Sequence, residues 1–130
     1  MGATHNLTIM ADTATFPKAQ WFGLDEKNQT VSLKNKKESD RWWARNERRA
    51  NVGVAKVKGR IVWTRFNGAM LDPKTDVAPD GKPYLFDTVV LSDSDEKSKG
   101  FVKHYTTFEE ALRGHKKIIS GIERGIFNPS

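Results

Sequence analysis

The strongest constraint on this chain lies near its end, where Thr106 and Thr107 each stand three residues ahead of a glutamate, Glu109 and Glu110. A threonine hydroxyl at a helix start accepts from the backbone N–H three residues on, and the glutamate there reaches back, so the doubled pattern marks a helix N-terminus. Phe108, Ala111, Leu112, His115, Ile118, Ile119 and Ile122 then recur at i, i+3, i+4, i+7 spacing, which lines one helix face. Gly121 is the expected end of that helix. A helix with a single apolar face needs a surface to lie on. Burying Phe108, Leu112, Ile118 and Ile119 is expected to contribute about 1.5–3 kcal/mol each.

That surface is expected to be a sheet. Residues 84–91 are apolar on both faces apart from Asp87 and Thr88, as a central strand is, and residues 101–105 read as a returning strand after a charged connection at 92–100. Residues 55–63 alternate, with Ala55, Val57, Ile61 and Trp63 on one side and Lys56, Lys58 and Arg60 on the other, and Gly59 reads as a bulge or close approach. Residues 67–83 read as a long loop with turn chemistry at Asp72-Pro73 and Asp80-Gly81. Trp21 to Leu24 and Val31 to Leu33 fit a hairpin around a loop at 25–29, while Leu7 to Met10 form an earlier apolar burst. Strands under one helix give an α+β fold: a small antiparallel sheet beneath the C-terminal amphipathic helix. With 130 residues, 37% hydrophobic, one compact core is expected. Residues 1–40 read as an N-terminal extension with a β-hairpin, and 41–130 as the α+β domain with a basic helix and strand.

Charge separates the segments further. The net +6 is not spread evenly: residues 41–66 hold eight basic side chains against Glu47 alone, while the stretches on either side are close to neutral. Ser39 or Asp40 would cap a short helix from there to about Ala50. On it Arg41, Arg45, Arg48 and Arg49 fall within about 100° of arc, with Trp43 and Ala50 roughly opposite. Together with Trp42 and the strand-face cations Lys56, Lys58 and Arg60 they are the candidate binding residues, for a partner protein or for nucleic acid. A partner surface would be acidic, and Trp beside Arg is the composition of an interface hot spot. Phosphates would be met without sequence readout, with Trp42 stacking on a base. A plain solvated face is the third reading of the same charges.

Catalytic chemistry is sparse. No cysteine is present, which removes disulfides, thiolate metal sites and a cysteine nucleophile. His104 heads a single His-x-Thr where a two-histidine phosphoesterase would need a second, and both His104 and His115 fit structural roles on their elements. Asp72, Asp76 and Asp80 miss the spacing of a calcium loop, with Pro83 where its glutamate would stand. Asp93, Asp95 and Glu96 read as a solvated turn, and no phosphate loop or hydrolase motif occurs. We therefore expect no enzyme activity, no metal and no cofactor. No apolar run is long enough to span a membrane and the start carries no secretion signal pattern, so a cytosolic chain is expected; Asn6 and Asn28 then match the glycosylation pattern by accident.

Three segments in order carry a likeness. Ile61-Val62-Trp63, the stretch Tyr84-Leu85-Phe86-Asp87-Thr88-Val89-Val90, and Tyr105-Thr106-Thr107-Phe108-Glu109-Glu110-Ala111-Leu112-Arg113-Gly114-His115 resemble a family of small, mostly uncharacterised proteins encoded by tailed bacteriophages. Members of that family run from a Val-Trp strand through an (I/L)F(E/D)T(M/V)V strand to a Tyr-x-Thr-x-Glu-Glu-Ala-x-x-Gly-His helix. The resemblance covers about half the chain and brings no catalytic residue. It departs in the first sixty residues and in the charged 92–100 connection. What it implies is a bacteriophage origin more than an activity. The leading expectation is a non-enzymatic virion or assembly accessory at the head, neck or tail, found in the particle or the host cytoplasm, with other virion proteins as partners. The alternatives are a small nucleic-acid-binding protein made during infection and a host-takeover factor that binds an acidic bacterial protein.

Overall fold

In the computed structural model residues 19–92 and 95–127 are described, 95–100 by backbone alone. The Leu7 to Met10 burst and the Asp93, Asp95 and Glu96 side chains lie outside the description.

The chain opens with a hairpin, β1 (Gln20–Leu24) and β2 (Thr30–Leu33), as the sequence suggests. Asp25 closes its turn by accepting from the N–H groups of Lys27 and Gln29 at 2.8 and 2.9 Å. Helix α1 (Lys36–Asn46) follows. It starts earlier than Ser39 or Asp40 because Asn35 is the cap, its Oδ1 accepting from Glu38 N–H at 3.0 Å while Glu38 accepts from Lys34 N–H; Ser39 is instead buried inside the helix. A 3-10 turn (Glu47–Ala50) then leads into β3 (Asn51–Val57), β4 (Arg60–Phe66), the short β5 (Ala69–Met70), β6 (Phe86–Ser92), β7 (Asp95–Tyr105) and helix α2 (Phe108–Glu123).

Two antiparallel sheets result, a three-stranded β2-β1-β5 and a four-stranded β3-β4-β6-β7, with α2 laid across the second. The fold is α+β, with the sheet under the C-terminal helix as expected. Thr107 caps α2 by accepting from Glu110 N–H at 3.1 Å. The buried line on α2 is Ala111, His115, Ile118 and Ile122, so the helix is turned slightly from its strongest apolar arc and Leu112 and Ile119 are only half-buried. Gly121 does not end it. Gly125 does, at φ 74°, a left-handed conformation that glycine adopts without strain.

The largest correction concerns residues 55–63. They are not one strand: Lys58 and Gly59, both at positive φ, form a two-residue turn joining β3 to β4. Val57 pairs with Arg60, and Ala55 with Val62. A two-residue turn exchanges odd for even positions, so Ala55 and Val57 share the helix face with Val62, Thr64 and Phe66, while Ile61 and Trp63 stand on the opposite face with Val54 and Lys56. The 67–83 stretch is also corrected, because Ala69 and Met70 form β5 against Trp21 and Gln20. The 92–100 connection is largely strand: β6 runs to Ser92 and β7 begins at Asp95.

Phe22 and Leu24 of the hairpin pack in one cluster with Phe66, Met70, Leu85 and Phe86. The hairpin is therefore part of the common core, and a boundary at residue 40 separates no packing unit. Beneath α2 runs a buried polar chain, in which Thr64 Oγ1 lies 2.5 Å from Thr88 Oγ1 and 2.8 Å from His115 Nδ1. Burial holds the His115 imidazole below its ordinary pKa, because desolvation penalises the charged form. Desolvation likewise raises the Tyr105 phenol, despite a lowering contribution from Thr88.

Candidate functional site

The basic segment does not make one face. Arg49 is spent on structure: its guanidinium donates to Leu24 O at 3.3 Å, to Asp25 O, to Asn28 Oδ1 at 3.2 Å and to Asn46 Oδ1 at 3.2 Å. It clips the β1–β2 turn to α1. Trp42 is not free to stack on a base, since its Nε1 donates to Leu24 O at 3.2 Å and its ring meets Trp43 and Phe66 edge-on. Trp43 in turn stacks on Phe66 with centroids 6.0 Å apart. Both tryptophans dock α1 on the core.

Turning the chain at Lys58-Gly59 scatters the three strand cations. Lys58 sits in the turn and donates from Nζ to Glu123 O at 2.6 Å. Arg60 faces the helix side and lies 5.5 Å over the Phe127 ring. Only Lys56 stays on the outer face, opposite Ile61. Arg41, Arg45 and Arg48 keep the expected exposure and, among the described residues, make no hydrogen bond or ion pair. With exposed Lys37 one turn ahead they form a cationic stripe along α1 and the 3-10 turn that follows it.

The opposite face of the four-stranded sheet, away from α2, carries a feature that the sequence reading missed. Val54, Trp63, Val89 and Val102 are consecutive cross-strand partners on β3, β4, β6 and β7. Their side chains form an unbroken apolar row across the whole sheet. Val54 is 58% exposed, Val102 49% and Trp63 37%, and Ile61 and Leu91 extend the row on one side.

Trp63 is held in place by its own neighbours. Its Nε1 donates to Asn51 Oδ1 at 3.0 Å, and the Arg65 guanidinium lies 4.9 Å over its ring. Arg65 in turn donates to Asp87 Oδ1 at 3.0 Å, with the Asp87 side chain only 9% exposed. Lys56, Arg65 and His104 thus flank the row, while Asp87 on the same face is buried behind Arg65. The signal that would have found this surface is Lys58-Gly59 itself: a glycine-containing pair between two alternating runs is a hairpin loop, and the parity change follows from it.

Among the described residues no helix is long and apolar enough to cross a membrane, and no three His, Asp or Glu side chains gather as a metal would require. Comparison of the chain with protein-family models, with curated proteins and with solved structures finds no match.

Proposed function

We propose that this protein is a non-enzymatic docking module, a virion or assembly accessory of a tailed bacteriophage, acting through the outer face of its four-stranded sheet. The observation that carries the docking is the in-register row Val54, Trp63, Val89 and Val102, exposed on a sheet whose other face is already covered. Contiguous exposed apolar surface rimmed by polar groups marks an interaction site. Trp63 and Arg65, already packed on one another, are the hot-spot pair of that site, because fixing them in advance lowers the ordering cost of association. The occupant is a protein subunit with an apolar patch bordered by carboxylates, since Lys56 and Arg65 flank the row and, among the described residues, the carboxylate of that face, Asp87, is shielded. The virion setting rests on the resemblance of residues 61–122. Mass spectrometry of purified particles from the phage encoding this chain tests it: presence at fixed stoichiometry is expected, and absence from particles would overturn the virion reading.

A second reading is favoured by one observation, the Lys37, Arg41, Arg45 and Arg48 stripe without carboxylate partners among the described residues. It suits sequence-independent phosphate contact. Affinity for arbitrary duplex DNA at roughly 50 and 200 mM salt separates the two, since such contact falls steeply with salt.

A further inference from the structure

Away from the docking face, a cleft of about 700 Å³ opens between the edge strand β7, helix α2 and the 78–84 loop. Three cations from two elements enter it: Lys103 on β7, and Arg113 and Lys117 one turn apart on α2. Arg113 and Lys117 make no hydrogen bond or ion pair among the described residues, and Lys103 does no more than lie 5.9 Å over the Tyr105 ring. The two carboxylates of the cleft are both engaged. Glu110 accepts from the Thr106 and Thr107 hydroxyls at 2.7 and 3.3 Å, and Asp80 accepts from Lys82 N–H at 3.0 Å. Set against Glu110 and Asp80, the three cations leave the cleft with an excess of positive charge, which attracts an anion.

The floor and the far wall add to this. Tyr105 lies beneath Gly114, which has no side chain to hold it off, and its buried hydroxyl has no partner in hydrogen-bonding geometry. On the far wall the Tyr84 ring lies 5.6 Å from that of His104. The loop bearing Tyr84 is braced by Tyr84 N–H to Asp76 O at 2.8 Å and Ala78 N–H to Lys82 O at 2.8 Å. One end is therefore cationic and the other presents a fixed aromatic pair, within a volume typical of small-ligand sites.

We infer that the cleft binds a nucleoside phosphate, with its phosphates between Lys103, Arg113 and Lys117 and its base against Tyr84 and His104. Arg and Lys meet phosphate through short, charge-assisted hydrogen bonds, and a flat aromatic face accepts any base. The inference does not rest on the docking role: of these groups His104 alone borders the apolar row, and the cations Lys103, Arg113 and Lys117 lie on the helix side of the sheet.

Calorimetric titration of the full chain at low salt tests it, with ATP, inorganic pyrophosphate, citrate and a short single-stranded DNA as probes. ATP is expected to bind saturably and more tightly than pyrophosphate, with citrate and DNA weaker than either. Arg113→Ala/Lys117→Ala, both exposed, should weaken ATP and pyrophosphate roughly tenfold or more at an unchanged melting temperature. Tyr84→Ala should weaken ATP alone, and Lys37→Ala/Arg41→Ala should change neither. No saturable ATP binding, ATP binding that survives Arg113→Ala/Lys117→Ala, or tighter binding of citrate or DNA would each overturn the assignment. Equal ATP and pyrophosphate affinity, unmoved by Tyr84→Ala, would overturn its nucleoside part.

Discussion

The imidazole of His115 fills the space that a side chain at Gly53 would need, a Cβ there standing 2.6 Å from Nε2. Gly53 belongs to β3 and His115 to α2, so this contact sets how closely helix and sheet approach. Thr64 holds the other ring nitrogen at 2.8 Å, and the ring cannot swing aside without losing that bond. Gly53→Ala should therefore destabilise the fold by about 1–3 kcal/mol through overpacking. Gly114→Ala, pressed on Tyr105, should do the same. Urea denaturation measures both, and no change in midpoint at either position would show that the helix moves freely on the sheet.

Acid should weaken the fold through the same histidine. Burial lowers the His115 pKa in the folded state below its ordinary 6.5, so the unfolded chain binds the proton more readily. The stability is then fully present above about pH 6.5 and is lost as pH falls through the folded pKa. His115→Gln should flatten that part of the stability–pH curve, read from denaturation midpoints between about pH 7 and 5. A curve of unchanged slope would contradict the buried neutral imidazole.

The arginines should divide into two classes. Arg49→Ala removes one donor from each of the Leu24 and Asp25 carbonyls, which keep Trp42 Nε1 and Asn28 N–H, and loses the bonds to Asn28 and Asn46 as well. It should cost about 1–3 kcal/mol. Arg41→Ala and Arg45→Ala, exposed on α1, should each stay within about 0.5 kcal/mol of wild type. Equal effects at all three would remove the assignment of Arg49 to the turn.

Helix α2 offers a similar contrast. Ile118, 8% exposed in the cluster with Val62 and Val90, should cost about 2–5 kcal/mol on truncation to Ala. Leu112→Ala should cost less, because Leu112 is half-buried. The reverse order, measured by chemical denaturation, would mean that the helix is turned the other way.

Local chemistry explains which of these features could be read from the sequence. The Thr107 cap, the first hairpin and the β6 strand depend on neighbours in sequence, and all three were legible. The polar chain Thr64–Thr88–His115 was not, since it joins residues 24 and 51 positions apart. Trp42 and Arg49 misled for a related reason. Both look like binding residues on a helical projection, yet each donates to Leu24 O from far along the chain. The apolar row stayed hidden because one unrecognised turn at Lys58-Gly59 exchanges the faces of residues 60–63 relative to 55–57.

The most direct test of the proposed docking role compares particle incorporation of two surface variants of equal thermal stability. Trp63→Ala/Val102→Glu alters the outer sheet face, and Arg41→Glu/Arg45→Glu alters the α1 stripe. Quantified in purified particles against wild type, the sheet-face variant is expected to be lost and the α1 variant retained. Normal incorporation of Trp63→Ala/Val102→Glu, with loss of Arg41→Glu/Arg45→Glu, would contradict the account.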